Sequence, residues 1–242
     1  MGPRHRYHRG VSRLTDPPLD EAVLRAAICA AGRRLGSRGL ISAGEGNLSV
    51  RLSATTLLAT PTGRRKDELE PDDLALVNLD PAVGQSSEGP RPSSDIAIHR
   101  AIYRARPDVV AVAHAHLPAS MALTLAGLAP DPLALPETAH HLPVLPVIPY
   151  GAMGSDALAA RISQAFATLD GPAPVAVLLE RHGAIAVGSA PAGPSVTESV
   201  ERALVTAGDR LELVEVLCRV WRDALLLRAA TGQSGPPASI AG

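Results

Sequence analysis

The feature that most constrains this chain is the apolar stretch Val109–Ala113, which runs directly into His114-Ala115-His116. The stretch follows a Pro107-Asp108 break and has the length of a buried β-strand. Because side chains on a strand alternate between its two faces, the two histidines point to the same side. Neutral imidazole nitrogens are good ligands for zinc and similar ions. The pair therefore predicts a divalent metal site at a strand end, and a pair of solvated or hydrogen-bonded histidines is the alternative.

The rest of the chain predicts one α/β domain over residues 16–230, with flexible tails at 1–15 and 231–242. Short connections between adjacent strands favour a largely antiparallel sheet over a doubly wound one. The predicted strands, besides the one with the histidines, are 48–52, 55–59, 74–78, 144–148, 175–179 and 184–187. The first predicted helix starts at an Asp16 N-cap and ends near Gly36 or Gly39. Four further helices are predicted at 93–105, 118–126, 155–169 and 195–229. An interruption of the last helix near Gly208 is left open.

Composition excludes several classes of function. The formal net charge is −1 and only 2% of the 242 residues are aromatic, so neither a basic field nor stacking platforms for nucleic acid are expected. Cys29 and Cys218 lie in helix-like apolar patterns, which argues against disulfides and fits a reducing cytoplasm. The basic segment Met1–Arg13 has no apolar core, and no apolar run reaches membrane-spanning length. We therefore expect a cytoplasmic protein that binds neither nucleic acid nor membranes.

Four further motifs accompany the histidine pair in a fixed order. With that order and spacing, the chain from about Pro18 to Trp221 resembles the class II aldolase/adducin family. The resemblance implies a three-layer α/β/α sandwich around a largely antiparallel central sheet. The motifs are Gly46-Asn47-Leu48-Ser49-Val50-Arg51, Thr60-Pro61-Thr62-Gly63, Pro92-Ser93-Ser94-Asp95 and Glu180-Arg181-His182-Gly183.

The resemblance assigns a role to each matched position. His114, His116 and His182 match the metal-binding histidines, and zinc is the expected ion, with manganese or cobalt as alternatives. Asp95 matches the acidic catalytic position. The matched phosphate-binding positions suit an anion, since glycine turns and a helix N-terminus present N–H groups; ordinary turn and cap chemistry is their alternative explanation. They are Gly46, Asn47, Thr62, Gly63, Ser93 and Ser94.

The implied activity is that of a metal-dependent aldolase similar to fuculose-phosphate aldolase. It would reversibly cleave a small phosphorylated hydroxyketone sugar, with the metal as Lewis acid for the enediolate and Asp95 moving the proton. Decarboxylation of a phosphotetronate-type sugar acid, sugar-phosphate 4-epimerisation and dehydration in the same family are the enzymatic alternatives. An adducin-like scaffold is the non-enzymatic one, and the complete histidine triad argues against it. The resemblance also implies a homotetramer with its active site at a subunit boundary.

Three departures from the family pattern leave the reaction open. Asp95 is one methylene shorter than the aldolase glutamate, although the epimerase branch also has aspartate there. The tyrosines that aldolases and epimerases use as proton donors are missing, which weakens the epimerase alternative in particular. Arg181 replaces the usual asparagine and either pairs with a substrate carboxylate or lies on the surface. The substitutes for the missing donor are Glu137, His140 and His141, or a residue of a neighbouring subunit, and a solvent-facing polar loop at 137–142 is the simpler alternative.

Overall fold

The computed structural model describes residues 19–84, 89–167, 171–190 and 196–239. The strands in these ranges are β1 (Asn47–Arg51), β2 (Thr56–Ala59), β3 (Ala75–Asn78), β4 (Val109–Ala115), β5 (Val147–Ile148), β6 (Ala176–Leu179) and β7 (Gly183–Ser189). The helices are α1 (Glu21–Ser37), α2 (Ile96–Ala105), α3 (Pro118–Leu125), α4 (Pro136–His141), α5 (Asp156–Phe166) and α6 (Val196–Ala230). Among these elements, no helix combines the length and apolar character needed to cross a membrane.

The seven strands form one sheet in the order β3-β2-β1-β4-β7-β6-β5. Every neighbouring pair is antiparallel except β5 with β6, which confirms the prediction of a largely antiparallel sheet. The strand that carries the histidines, β4, is central. It pairs with β1, where His114 is opposite Asn47, and with β7, where Ala115 is opposite Ala184. The ends of β1 and β7 are thereby brought beside the histidines.

Helices cover both faces of this sheet, so the fold is the three-layer α/β/α sandwich that the resemblance implied. Alternate residues of β4 face opposite layers, as the period of a strand requires. Ala111 and Ala113 are buried in the core that contains α1, α3 and α6, whereas Val112 faces the core built with α2 and α5. Burial of apolar side chains on both faces is the main favourable term in folding. His114 shares the face of Val112, which directs it toward the start of α2.

The structure moves the start of the first helix and decides whether the last helix is interrupted. Helix α1 begins at Glu21, and the Asp20 side chain caps it by accepting a hydrogen bond from the backbone N–H of Val23 at 3.2 Å. The predicted cap, Asp16, lies outside the described residues, and both aspartates satisfy the same local signal. Helix α6 passes through Gly208 without interruption, since its long buried face offsets the modest cost of one interior glycine.

Residues 137–142, for which a solvent-facing polar loop was the alternative to a catalytic role, belong mainly to α4 (Pro136–His141). Proline at the first turn favours a helix start, and the buried Thr138 anchors the turn by donating its hydroxyl hydrogen to the Pro132 carbonyl at 2.6 Å. Helix α5 ends at Phe166, three residues before its predicted end. The predicted N-terminal tail, residues 1–15, lies outside the described residues, and the predicted C-terminal tail contains neither helix nor strand from 233 to 239.

Candidate metal centre

Three histidines meet at one end of the central strands. His114 is the penultimate residue of β4, His116 directly follows that strand, and His182 lies in the turn between β6 and β7. Because β7 pairs with β4 as far as Ala115, the turn that precedes β7 reaches the end of β4. The ring centroids are 4.7, 4.8 and 5.0 Å apart. Each ring offers one nitrogen within 4.8 Å of the other two.

Two of the ring nitrogens in this cluster have no protein partner. The Nδ1 of His114 donates to the Ala184 carbonyl at 3.0 Å, which selects the tautomer with a bare Nε2. That Nε2 and the Nε2 of His182 are both buried, and neither has a hydrogen-bond partner in the described part of the chain. Buried polar atoms are normally paired, so unpaired nitrogens in a group of three imidazoles fit a divalent cation. The residues present are therefore suited to hold one metal ion.

The electrostatic environment keeps these rings ready to bind a cation. Burial lowers the pKa of His114 well below its usual range, and the neighbouring rings of His182 and His116 lower it further. Burial likewise lowers the pKa of His182, with His116 as the next cause. A metal competes with protons for imidazole nitrogens. Because His114 and His182 hold protons less readily, protons compete less with a metal for their nitrogens.

Two glycines allow the loops to approach the histidine strand closely. A Cβ on Gly46 would lie 2.8 Å from the His114 carbonyl oxygen, and one on Gly183 would lie 2.1 Å from the Ala115 carbonyl oxygen. Both residues also have positive φ, +68° and +96°, a conformation that glycine adopts without steric cost. Arg181, beside His182, has φ +61° although it is not glycine. Non-glycine residues in this region cluster at functional sites.

Asp95 lies at the start of α2, but its carboxylate does not cap the helix. The residue occupies the N-cap position without a side-chain capping hydrogen bond, so capping does not explain its presence. Instead, Oδ2 accepts a hydrogen bond from Asn47 Nδ2 at 3.1 Å. The other carboxylate oxygen, Oδ1, is buried and has no partner among the described residues. Asp95 and the histidine cluster therefore share an unusual property, a buried polar atom that has no partner in the described part of the chain.

The same asparagine leads to a group of buried polar residues that the sequence analysis did not identify. Asn47 Oδ1 is bonded to His99 Nε2, and Ser49 Oγ lies 2.6 Å from His99 Nδ1. Tyr103 continues the group, donating its hydroxyl hydrogen to the Ser49 carbonyl at 2.9 Å. A signal for it exists in the sequence, because Asp95, His99 and Tyr103 are spaced four apart on one helix face. The pattern is easily taken for ordinary polar positions of a surface helix.

The loops predicted to bind phosphate are hydrogen-bonded into one unit next to this end of the sheet. The N–H of Ser93 donates to the Thr60 carbonyl at 3.1 Å, and the N–H of Thr62 donates to the Arg91 carbonyl at 3.0 Å. The buried Lys66 ammonium donates to the carbonyls of Gly44 and Arg64 at 2.6 and 2.8 Å, which joins the two glycine-containing loops. Thr62, Gly63 and Ser94 are exposed, whereas Gly46, Asn47 and Ser93 are buried.

The remaining predicted candidates lie on the surface. Glu137, His140 and His141 are exposed on α4, and the two histidine rings contact each other with centroids 4.7 Å apart. The Arg181 side chain is 55% exposed and its guanidinium lies 3.4 Å from the Glu180 carboxylate. No contact among the described residues connects any of these side chains to Asp95 or to the histidine cluster. A role for them would depend on substrate or on another subunit.

Comparison with known proteins extends these observations. The family model described as Class II Aldolase and Adducin N-terminal domain matches residues 26–221. A 3-oxo-tetronate 4-phosphate decarboxylase from Cupriavidus necator is 35% identical over 205 residues, covering 83% of this chain and 84% of that protein. A methylthioribulose-1-phosphate dehydratase from Acidiphilium cryptum is 34% identical over 200 residues, covering 78% and 85%. The crystal structure of l-fuculose-1-phosphate aldolase from Thermus thermophilus has a TM-score of 0.69 and 32% identity, covering 89% of this chain and 100% of that one.

Proposed function

This chain belongs to the class II aldolase and adducin family, and from that premise we propose that it is a metal-dependent decarboxylase of a small phosphorylated 3-oxo sugar acid. One observation carries the proposal: three imidazoles, two of which have a buried nitrogen without a partner among the described residues, lie at the same end of the sheet as Asp95, whose Oδ1 is likewise buried and unpaired. An adducin-like scaffold would have no use for these unpaired atoms, whose burial is costly.

The metal would be held by His114, His116 and His182. What a divalent ion supplies at such a site is Lewis-acid polarisation of the substrate's oxo group. The hydroxyl groups of Thr62 and Ser94 and the backbone N–H of Gly63, all on exposed residues, would bind the phosphate, which orients the substrate before reaction.

Asp95 would provide the proton. When the bond to the carboxyl carbon breaks, CO₂ leaves and the electron pair moves toward the oxo oxygen. The α-carbon then needs one proton, which we assign to Asp95 Oδ1, and solvent restores that proton afterwards. The hydrogen bond from Asn47 to Oδ2 would hold the carboxyl group in place throughout.

Aldol cleavage of a phosphorylated hydroxyketone, the activity expected from the sequence, is the second candidate. It is favoured by the 32% identity to the Thermus fuculose-phosphate aldolase. It requires two proton movements, removal from a hydroxyl and delivery to carbon, whereas decarboxylation requires one. Asp95 is the one carboxylate near the cluster that combines burial with an unpaired oxygen in the described residues. The similarity to a 3-oxo-tetronate 4-phosphate decarboxylase, 35% identity over 84% of that protein, supports decarboxylation as the first choice.

The test is a substrate panel with protein loaded separately with zinc, manganese and cobalt. We expect CO₂ release from 3-oxo-tetronate 4-phosphate and an approximately 10²-fold lower turnover in Asp95→Asn, with metal content unchanged. Asp223→Asn, which removes an exposed carboxylate on α6, is the matched control and should retain activity. Cleavage of fuculose 1-phosphate without CO₂ release would select the second candidate. Dehydration of methylthioribulose 1-phosphate alone, or turnover by none of the three substrates, would overturn the proposal.

Zinc and a homotetramer with the active site at a subunit boundary remain part of the proposal. Metal analysis should give about one equivalent of divalent ion per chain, as expected for one three-histidine site. Light scattering at working concentration should give the mass of four chains, and the mass of a single chain would contradict the tetramer.

A further inference from the structure

A strand and a helix face each other through matched polar side chains beneath Asp95. On β1, Asn47, Ser49 and Arg51 alternate with apolar residues and therefore share one face. On α2 the facing positions are Asp95 at the N-cap, then His99 and Tyr103, which are spaced by four residues. The contacts run in register: Asn47 with Asp95 and His99, Ser49 with His99 and Tyr103, and Arg51 with the Tyr103 ring at 4.9 Å. We call this set the polar ladder.

The hydrogen bonds in the polar ladder determine where the proton of His99 lies. Asn47 uses its Nδ2 to donate to Asp95, so its Oδ1 is the atom that faces His99. An amide oxygen only accepts, and therefore His99 Nε2 must carry the hydrogen. The ring is fully buried, and burial lowers its pKa to about 4, so it is neutral and Nδ1 is bare. Ser49 then donates its hydroxyl hydrogen to Nδ1.

This arrangement leaves one end of the polar ladder incomplete. Asn47 and His99 have their side-chain polar atoms paired, whereas Asp95 uses Oδ2 and leaves Oδ1 without a partner. The incomplete end is the end beside the histidine cluster. A fixed donor on Oδ2 prevents the carboxyl group from rotating that oxygen toward substrate, so Oδ1 alone is presented for proton transfer.

We propose that His99 is a positioning residue: Ser49 holds it in the Nε2–H tautomer, and through Asn47 it fixes which oxygen of Asp95 transfers the proton. If His99 carried its hydrogen on Nδ1, the Asn47 amide would turn over to donate to Nε2. Its oxygen would then face Asp95 Oδ2, and two acceptors in contact would repel each other. The inference rests on the proposed function for the proton-transfer role of Asp95 and on the polar ladder alone for the tautomer.

The tautomer can be measured without substrate. Ring ¹⁵N shifts of protein labelled at histidine distinguish protonated from bare nitrogens, and the His99 signals are those lost in His99→Gln. We expect a protonated Nε2 and a bare Nδ1 that do not change between pH 8 and pH 5. A protonated Nδ1 in the parent protein would overturn the inference whatever reaction the enzyme catalyses.

Turnover tests the positioning role. Ser49→Ala removes the donor to Nδ1 and should lower kcat between about 10-fold and 100-fold with KM and metal content unchanged, because the carboxyl group loses its fixed orientation. The matched control is Ser120→Ala, since Ser120 is equally buried and its hydroxyl has no partner among the described residues; it should behave like the parent protein. His99→Leu should lower kcat at least as much as Ser49→Ala. His99→Gln should recover part of the loss, because its amide N–H can replace the donor to Asn47.

The outcomes separate this inference from the proposed function. If Asp95→Asn is inactive while Ser49→Ala and His99→Leu keep kcat within twofold, the positioning role is wrong and the proposed function stands. If Asp95→Asn keeps full turnover, the proton-transfer role in the proposed function is wrong, and the positioning role falls with it even where the ¹⁵N shifts agree. If Ser49→Ala raises KM and leaves kcat unchanged, the polar ladder shapes substrate binding, and the inference is likewise overturned.

Discussion

His114 and His99 are two buried histidines with lowered pKa values, but their ring nitrogens differ in hydrogen bonding. His114 has one nitrogen bonded to the Ala184 carbonyl and the other unpaired. His99 has both nitrogens bonded, to Asn47 and to Ser49. Burial dominates the lowered pKa in each case. Neither burial nor the pKa therefore distinguishes a candidate metal ligand from a structural histidine, whereas the unpaired nitrogen does.

The difference shows how one end of a sheet can hold some polar groups rigidly and leave others free to bind a ligand. Apart from Asp95 Oδ1, the buried side-chain polar atoms of the polar ladder are paired within the described residues, so the ladder fixes the geometry of Asp95 and Asn47. The histidine cluster has two buried nitrogens that no group among the described residues satisfies, and a bound ion would satisfy them. Sites are more accurate when such receptive groups are supported by a completed shell behind them.

The strongest way to break the comparison is to remove one receptive histidine. His114→Ala should abolish stoichiometric metal binding and lower turnover by about 10³-fold, since a Lewis acid contributes several kcal/mol to such a reaction. The measurement is metal content after dialysis, together with turnover. His99→Gln is the matched control, because it also alters a buried histidine but should retain the metal. Full metal occupancy in His114→Ala would refute the distinction.

Acid unfolding tests the other member of the comparison, His99. Burial holds the pKa of His99 at about 4, below its usual 6.5, so between these values the unfolded chain binds a proton that the folded chain does not. Stability from this residue is complete above about pH 6.5 and declines as the pH falls toward 4, by about 3 kcal/mol at most. Denaturant titration of metal-free protein at several pH values measures it. In His99→Gln the free energy of unfolding should fall less steeply with decreasing pH. An equal dependence on pH in the two proteins would contradict the assignment.

The smallest expected effect concerns the exposed rim of the candidate site. Ser94→Ala removes a hydroxyl at the start of α2 and should raise KM for a phosphorylated substrate about tenfold, because hydrogen bonds to a charged group contribute roughly 1.5–3 kcal/mol. Inorganic phosphate should inhibit the parent protein competitively and the variant more weakly. Ser37→Ala, at the exposed end of α1, is the control. An unchanged KM in Ser94→Ala would show that the Ser94 hydroxyl does not bind the phosphate.

Much of the fold could be predicted because its signals are local. The apolar stretch at Val109 predicted β4, and each predicted strand is present with ends within a few residues. The differences arose where local signals compete. Asp16 and Asp20 both satisfy the capping pattern. Residues 137–142 combine polar side chains typical of a loop with a proline that starts α4, and the Thr138 hydroxyl bonds to the nearby carbonyls of Pro132 and Leu135.

The sequence by itself determined the family, the mainly antiparallel α/β fold and the set of chemical groups available, because residue types at fixed spacings are enough to specify these. Only the tertiary structure decided which nitrogens and oxygens are paired. His99 and Tyr103 read as ordinary helix positions until β1 brings Asn47 and Ser49 against them, and Asp95 reads as a helix cap until its carboxylate is seen to point at Asn47. The physical reason is that hydrogen-bond pairing depends on distances between residues about fifty positions apart, which no local pattern encodes.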